Sequence, residues 1–472
     1  MRLFNTLTRQ VEEFVPIKKG KVGLYTCGPT VYDYSHIGHG WKYVNDDLLK
    51  RLLTYNGYQV THVQNITDVG HLVSDADEGE DKLETGAAKT GKSVWETAEM
   101  FIKGFYETMD KLNILRPDVV CRATEHISEQ IELIKRLVDK GFAYDTPEAV
   151  YFDVAKFPRY GELSGQRLAD KLVAARQDVQ TGSHKKNPVD FVLWFKLAGR
   201  FEKHVMKWDS PWGAGFPGWH IECSAMSMRY LGETFDIHTG GEDHIPVHHT
   251  NEIAQSEAAT GKPFVKYWMH SAFLTVDGQK MSKSLRNMYR VEDVAEKGFG
   301  PMALRYLYLT AHYRTPLSFT WSSLAAAQSA YDKLTQFVLA TRNPQSAIRK
   351  ELSKEKLKKI DKYRERFLEA VNNDLNFPQG LAVLWEMAKS NIPDMDKLDL
   401  VLDWDQILGL GLANVQEGIK VPEEIAKLAG ERESLRKAGK FVEADRVRMQ
   451  IEALGFTIKD TAMGPVINVK RS

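Results

Sequence analysis

The stretch "KVGLYTCGPTVYDYSHIGHG", residues 21–40, has the pattern of a strand that leads into the start of a helix. Val22 and Leu24 alternate with less apolar residues, and the Gly-Pro pair after Cys27 predicts the end of the strand. Apolar residues then recur at helical spacing up to Gly57, a typical helix terminator, and a β-rich run follows. A strand, a helix and a second strand in this order predict one βαβ unit of a parallel sheet.

The run His36-Ile37-Gly38-His39 falls at the predicted N-terminus of this helix. Free backbone N–H groups and the helix dipole at that end favour a phosphate group. Two imidazoles there can donate hydrogen bonds to a phosphoryl group as its charge develops, and Gly38 lets a flat base approach the backbone. A pair of ordinary capping or surface histidines is the alternative interpretation of so short a run.

Length and composition predict a multidomain protein without a membrane anchor. The chain has 472 residues, so we expect two to four domains. It contains no apolar stretch long enough to span a bilayer. Its N-terminal stretch has no long apolar core and carries acidic residues, so it does not resemble a signal peptide. Three separated cysteines argue against a disulfide framework and fit a reducing cytoplasm. Lys plus Arg and Asp plus Glu both total 63, so a nucleic acid would have to bind through local basic surfaces.

A second run, "KMSKS" at Lys280 to Ser284, follows a strand-like segment. Two lysines and neighbouring hydroxyls on a mobile loop are suited to holding a leaving pyrophosphate, although a solvated basic loop is the alternative. The two runs, in this order in one chain, form the signature of the class I aminoacyl-tRNA synthetases, which this sequence resembles.

A third group of residues could bind a metal ion. Cys27 precedes the first run, Cys223 lies in "GWHIECSAM", and His248 and Glu252 are four residues apart, so that both would project from one helix face. Two thiolates, an imidazole and a carboxylate form a plausible tetrahedral zinc set contributed by three segments. Buried structural cysteines and an ordinary core histidine are the alternatives.

The segments around these residues resemble the cysteine–tRNA ligase family. They are "YTCGPTVYDYSHIGH", "GWHIECSAMS", "DIHTGGEDHIPVHHTNEIAQSEA" and "KYWMHSAFLTVDGQKMSKS". The resemblance implies ATP-dependent activation of L-cysteine and its transfer to the 3'-terminal adenosine of tRNA-Cys. It also implies one Zn²⁺ per chain, which receives the substrate thiol and so separates cysteine from serine, and Mg²⁺ that accompanies ATP.

The resemblance also implies a role for each motif residue. The zinc ligands are Cys27, Cys223, His248 and Glu252. Those that stabilise the phosphoryl group or hold the departing phosphates are His36, His39, Lys280 and Lys283. Those that bind ATP are Gly38, Gly240, Gly241, Asp243 and Lys283. Those that line the amino-acid pocket are Thr67 and Trp219. A helix cap is the alternative role of Asp243, and core packing is that of Trp219.

The expected fold is α/β: a Rossmann-like parallel-sheet catalytic domain with an inserted connective domain, then a helical anticodon-binding bundle and a small C-terminal domain. The expected boundaries are 1–115 and 205–300 for the catalytic domain, 116–204 for the insertion, 301–330 for a stem-contact region, 331–415 for the bundle and 421–472 for the last domain. We also expect an exposed loop at 76–87, a polar surface insertion at 166–189 and a charged, solvated helix at 349–370. A cytoplasmic monomer that binds tRNA-Cys, ATP and L-cysteine, and no membrane, is expected.

Two other functions remain open from the sequence. One is a related ligase that couples cysteine to the amine of a sugar; the charged helix and the tail at 442–454 argue against it. The other is a non-catalytic tRNA-binding protein, which the intact motif residues disfavour. The sequence departs from the usual family pattern at Arg286, where glycine is common, and at Thr250, where an acid is common. Cys121 has no assigned role beyond that of a small buried residue.

Overall fold

The computed structural model describes residues 1–69, 72, 79, 81–166, 184–342, 352–415, 422–461 and 464–469. The strands in these ranges are β1 (Arg2–Asn5), β2 (Gln10–Glu13), β3 (Lys21–Thr26), β4 (Gln59–Ile66), β5 (Val119–Arg122), β6 (Ala143–Asp145), β7 (Ala149–Phe152), β8 (Phe191–Lys196), β9 (Gly215–Pro217), β10 (Phe235–Gly241), β11 (Val265–Ser271), β12 (Leu274–Val276), β13 (Gln279–Lys280), β14 (Leu317–Phe319), β15 (Phe456–Thr461) and β16 (Gly464–Val469).

The helices in the same ranges are α1 (Ile37–Tyr55), α2 (Lys82–Thr90), α3 (Val94–Lys111), α4 (Ile127–Asp139), α5 (Trp219–Leu231), α6 (His248–Thr260), α7 (Val291–Glu296), α8 (Pro301–Leu309), α9 (Trp321–Thr341), α10 (Lys354–Asn372), α11 (Phe377–Ala388), α12 (Asp394–Leu408), α13 (Glu423–Lys437) and α14 (Phe441–Ala453). None of these helices is long and apolar enough to cross a membrane.

A five-stranded parallel sheet in the order β11-β10-β3-β4-β5 forms the centre of the fold. The predicted βαβ unit is confirmed, because β3 and β4 pair in parallel with α1 between them. The strand order reverses between β3 and β10, and both strands end at the same edge of the sheet. In open α/β sheets such a reversal leaves a crevice at the carboxyl ends of the strands, where ligands bind.

Helix α1 begins at the first sequence run, as predicted. His36 is its N-cap, and the side chain accepts hydrogen bonds from the backbone N–H groups of Gly38 and His39. The helix ends at Asn56, followed by Gly57 in a left-handed conformation with φ of 85°. Its apolar face packs into the main core, which explains why the sequence keeps helical spacing over this length.

The other sheets surround the central one. An antiparallel sheet in the order β6-β7-β8-β9 takes its first three strands from the expected connective insertion, and β9 follows beyond the expected end of that insertion at residue 204. A small sheet in the order β13-β12-β14 carries Lys280 at its edge strand. Beyond it the chain is mainly helical, and α10 and α12 are joined by stacked rings of Phe367 and Trp404 with centroids 4.3 Å apart. Helices α13 and α14 form a hairpin across Gly439, and β15 and β16 pair after it.

Three local predictions need correction or fall partly outside the described residues. The loop expected at 76–87 is wrong from Lys82 onward, where α2 begins, because Asp81 caps the helix and Leu83 is buried. The charged helix expected from 349 begins at Lys354, since Ser353 caps it. Most of the expected polar insertion, residues 167–183, lies outside the described residues.

A buried ion pair ties α1 to the helical part of the chain. Arg305 on α8 donates to a carboxylate oxygen of Asp47 at 2.6 Å, and both side chains are fully buried. Arg305 also donates to the carbonyls of Leu408 and Leu112, each at 2.9 Å. On the same helix, the hydroxyl of Tyr308 donates to the carbonyl of Ile37 at 2.6 Å. Helix α8 therefore fixes both the start and the middle of α1.

Candidate active site and metal centre

A cavity of about 480 Å³ opens at the carboxyl edge of the central sheet. Its lining includes residues of both sequence runs and of the predicted metal and amino-acid sites. They are Cys27, His36, Gly38, His39, Thr67, Trp219, Cys223, Gly241, Asp243, His248, Lys280 and Lys283. Gly240 and Glu252 are buried beside it. The fold therefore brings together segments that are more than 200 residues apart in the sequence.

The imidazole rings of His36 and His39 in the first run are stacked, and each carries its proton on Nε2. Their ring centroids are 3.8 Å apart at an interplanar angle of 14°. Nδ1 of His36 accepts from backbone N–H groups, and Nδ1 of His39 accepts from the N–H of His36 at 3.2 Å. Because each Nδ1 is an acceptor, the neutral ring carries its proton on Nε2. Both Nε2–H groups are thus available as hydrogen-bond donors.

Desolvation keeps these two rings neutral. Desolvation lowers the pKa of His36 to about 4, against an opposing effect of the nearby carboxylate of Asp33. Desolvation within the cavity, followed by the charges of His36 and Lys42, lowers the pKa of His39 well below its ordinary value. The pair therefore acts near neutral pH as two uncharged donors rather than as cations.

The loop of the second run is packed against the first run. Lys283 forms an ion pair with Asp33, whose hydrogen bond raises the pKa of that lysine. A Cβ placed on Gly38 would lie 2.4 Å from Cε of Met281, so the absence of a side chain at Gly38 accommodates this methionine. That a nucleotide base occupies the surface of Gly38 stays a prediction.

The four predicted ligands converge in one buried cluster. Their donor atoms all lie within 4.8 Å of one another. The Sγ atoms of Cys27 and Cys223 are 4.0 Å apart, and Nε2 of His248 lies 2.7 Å from Oε1 of Glu252. Cys27 directly follows β3, Cys223 lies on α5, and the other two residues begin α6. The predicted helical spacing of His248 and Glu252 is confirmed.

The chemistry of this cluster fits a zinc ion. Two sulfurs, an imidazole nitrogen and a carboxylate oxygen face one another in a buried space, and these are the donor types that bind Zn²⁺ in tetrahedral sites. Nδ1 of His248 lies 3.0 Å from Nδ1 of His220, which leaves Nε2 toward the cluster. Burial raises the pKa of Cys27, but the hydrogen bond with Cys223 and the charges of nearby imidazoles bring it well below its ordinary value. A thiolate is the form that binds metal.

Further histidines, which the sequence interpretation did not select, surround the cluster. His238 lies 2.8 Å from Oε2 of Glu252, and His249 lies 3.4 Å from Sγ of Cys27. These two histidines form a second, overlapping donor set with Cys27 and Glu252. His249 also contacts Nε2 of His270 at 2.7 Å. The dense histidines of "DIHTGGEDHIPVHH" were a signal for the first two, whereas His270 is a single histidine in the strand segment "KYWMHS".

The remaining predicted residues occupy distinct positions around the cavity. The hydroxyl of Thr67 donates to Glu222 at 2.9 Å, and the ring of Trp219 stacks on His248 with centroids 4.1 Å apart. A Cβ on Gly240 would lie 2.5 Å from the ring of His249, so this glycine packs against histidine, and its contact with ATP stays a prediction. Gly241, the last residue of β10, and Asp243, which follows the strand, line the cavity.

The fold and this cavity define a class of enzyme. The family model described as "tRNA synthetases class I (C) catalytic domain" matches residues 13–329, and the model "DALR domain" matches residues 366–391. The chain is also similar in structure to Mycobacterium tuberculosis methionyl-tRNA synthetase in complex with methionyl-adenylate. That similarity has a TM-score of 0.60 at 15% identity and covers 83% of this chain and 92% of the other, which shows a shared fold. The chain is a class I aminoacyl-tRNA synthetase.

Full-length relatives identify the family within this class. Cysteine–tRNA ligase 1 of Burkholderia lata is 46% identical over 467 residues, which cover 98% of this chain and 96% of the relative. The cysteine–tRNA ligase of Treponema denticola is 45% identical over 487 residues, or 98% of both chains. That of Thermus thermophilus is 40% identical and covers 99% of both chains. This chain belongs to the cysteine–tRNA ligase family.

The neutral state of His36 predicts a specific dependence of stability on pH. The folded protein holds the ring neutral to about pH 4, whereas the unfolded chain binds a proton near the ordinary pKa of 6.5. Stability is therefore lost as the pH falls from about 6.5 to about 4. A His36→Asn variant keeps an N-cap acceptor but cannot titrate. As the pH is lowered through this window, we expect the unfolding free energy of the wild type to fall more steeply than that of His36→Asn, by up to about 1.4 kcal/mol per pH unit. Parallel pH profiles of the two proteins in urea unfolding would contradict this assignment.

Proposed function

We propose that this enzyme activates L-cysteine with ATP to form cysteinyl-adenylate and diphosphate, and then transfers cysteine to the 3'-terminal adenosine of tRNA-Cys with release of AMP. The observation that carries the proposal is the shared cavity: two neutral histidines, two lysines and three members of the buried Cys-Cys-His-Glu cluster face one space. Membership of the cysteine–tRNA ligase family supports the choice of amino acid and tRNA.

The two sequence runs perform the phosphoryl chemistry in this proposal. The Nε2–H groups of His36 and His39 donate to the α-phosphate as negative charge develops on it, at the N-terminus of α1. Lys280 and Lys283 hold the β- and γ-phosphates while the diphosphate leaves, and Mg²⁺ with ATP neutralises the remaining charge. Gly38, Gly240, Gly241 and Asp243 complete the nucleotide site. Lys283 must exchange Asp33 for phosphate oxygens to do this, because the two side chains are paired in the structure.

The amino acid occupies the inner end of the cavity in this proposal. Cys27, Cys223, His248 and Glu252 would hold one zinc ion, whose affinity for sulfur would favour the thiol of cysteine over the hydroxyl of serine. His220 supports this set by fixing the orientation of the His248 ring. Trp219, stacked on His248, and Thr67, held by Glu222, form the adjoining walls of the pocket.

The tRNA lies across the helical part of the chain in this proposal. The stem-contact region at 301–330 and the bundle at 331–415 lead from the catalytic domain to the last domain at 421–472. Exposed basic residues of the final hairpin, such as Lys440 and Arg446, suit contact with RNA phosphates despite the net charge of zero. The family model that matches residues 366–391 within the bundle supports this arrangement.

ATP–pyrophosphate exchange across the amino acids tests the function. We expect exchange that depends on L-cysteine and is much weaker with L-serine. Transfer of labelled cysteine to tRNA, compared with transfer to an amino sugar, separates this function from a ligase that modifies a sugar. Exchange without selectivity for cysteine, or transfer to the sugar alone, would overturn the proposal.

Removing one lysine from the second run should slow activation without weakening amino-acid binding. We expect Lys283→Ala to lower the rate of cysteine-dependent exchange by about a hundredfold, because a charge-assisted contact to the departing phosphates is lost. The KM for cysteine should change less than about threefold, since the lysine does not contact the amino acid. Lys297→Ala, at an exposed lysine after α7, is the matched control. A variant that loses only tRNA binding would show that the loop has a different role.

A further inference from the structure

Lys42 is a lysine of the cavity that belongs to neither sequence run. Lys42 lies on α1 one turn beyond His39, and its side chain is 12% exposed. Its Nζ atom donates to the backbone carbonyl of Cys27 at 2.6 Å and pairs with Oδ2 of Asp46 at 2.7 Å. Lys42 also lines the cavity, together with Cys27 and His39.

Burying the ammonium group of Lys42 costs desolvation free energy, which its ion-pair and hydrogen-bond partners offset. An ammonium taken out of water needs an anion and hydrogen-bond acceptors, and here Asp46 and the Cys27 carbonyl supply them. Tyr43 also donates to the same carbonyl at 3.3 Å, so the backbone of Cys27 is already held without the lysine. An ammonium has three N–H donors, and these two contacts use two of them. Because Lys42 lines the cavity, a carboxylate bound there can take the third donor, which in the structure has the ring of Tyr43 4.3 Å away.

The contact of Lys42 with Cys27 and its position on α1 place the residue next to both halves of the proposed reaction site. On one side it contacts the residue that supplies a thiolate to the proposed metal set. On the other side it follows His39 at a spacing of three residues, which places both side chains on the same face of α1. In the proposed reaction, the substrate thiol lies at the first half and the α-phosphate at the second. The carboxylate that attacks the phosphorus must lie between them.

We propose that Lys42 binds the carboxylate of L-cysteine and orients it toward the α-phosphate. This inference rests on the proposed function and adds a substrate-binding residue to it. Lys42 contributes a positive charge that recognises the carboxylate independently of the thiol, so that two ends of one small molecule are held at once. The ion pair with Asp46 keeps the ammonium in place before the substrate enters.

Two ligands that differ only in the carboxylate test this inference. The zinc-loaded enzyme is titrated calorimetrically with L-cysteine and with cysteamine, which keeps the thiol and the amine. For Lys42→Met we expect L-cysteine to bind about tenfold to a hundredfold more weakly, while cysteamine binds within about twofold of the wild-type affinity. Lys42→Arg should restore part of the affinity for L-cysteine. Lys82→Met, at another lysine that lines the cavity, controls for a general loss of positive charge.

The remaining outcomes distinguish substrate binding from support of the fold. A double variant, Lys42→Met with Asp46→Asn, removes the carboxylate that the single variant leaves unpaired and should show the same ligand selectivity. Equal weakening of both ligands, or a fall in zinc content, would show that Lys42 acts only on Cys27 and would overturn the inference. Unchanged binding of L-cysteine would also overturn it. If the wild type itself binds no L-cysteine, the proposed function is wrong, and the inference on Lys42 is wrong with it.

Discussion

Replacing Cys223 by serine is expected to remove most of the bound zinc and to lower kcat/KM for cysteine in pyrophosphate exchange by about a thousandfold. Serine keeps the size of the side chain but exchanges a soft thiolate for a hydroxyl, which is a poor ligand at neutral pH. Loss of a residue that merely supports a ligand already costs about tenfold to a hundredfold, so loss of a ligand itself should cost more. Metal analysis of the purified variant and exchange kinetics measure the two effects.

Cys121→Ser is the matched control for this experiment. Cys121 is as fully buried as Cys223, but it lies on β5 and donates to the carbonyl of Gln64 at 3.6 Å. The same change of sulfur to oxygen there should leave zinc content and kinetics nearly unchanged. If Cys223→Ser behaves like this control, Cys223 does not belong to the metal site.

The second large effect concerns stability. Asp47→Asn is expected to lower the free energy of unfolding by about 3 to 5 kcal/mol, because it leaves buried cations without their anion. Asp47 accepts from Arg305 at 2.6 Å, from Arg51 at 2.7 Å and from the backbone N–H of Leu115 at 2.8 Å. An amide of equal shape keeps one acceptor oxygen but no charge. Urea unfolding followed by tryptophan fluorescence measures the loss.

An exposed pair provides the control for this second prediction. Glu386 forms two hydrogen bonds with Arg366 at the surface, where solvent screens the charges. Glu386→Gln should therefore leave the unfolding midpoint almost unchanged. Equal shifts in the two variants would mean that the junction between α1 and α8 contributes no more than a surface contact does.

Local sequence patterns predicted the parts of the site that depend on neighbouring residues. The strand before Cys27, the helix after His36 and the shared face of His248 and Glu252 each follow from spacing over a few residues, and the structure confirms them. The sequence did not predict the helix at Lys82, because its charged residues are typical of an exposed loop. Its buried face is defined only by tertiary packing.

Contacts between distant segments could not be derived from the sequence. Arg305 and Asp47 are 258 positions apart, and neither side chain shows by itself that it is buried. The contact of Lys42 with the Cys27 carbonyl depends on how α1 lies against the end of β3, which is a property of the whole sheet. His270 likewise joins the histidine group only because β11 pairs with β10. For these residues the fold, rather than a motif, creates the chemistry.

The most direct test of the account is selectivity between cysteine and serine before and after removal of the metal. The purified enzyme should contain about one zinc ion per chain, and chelation should abolish its preference for cysteine in pyrophosphate exchange, with recovery when Zn²⁺ is restored. An enzyme that is free of metal and still prefers cysteine over serine as strongly as before would contradict the assignment of Cys27, Cys223, His248 and Glu252 as the selective centre.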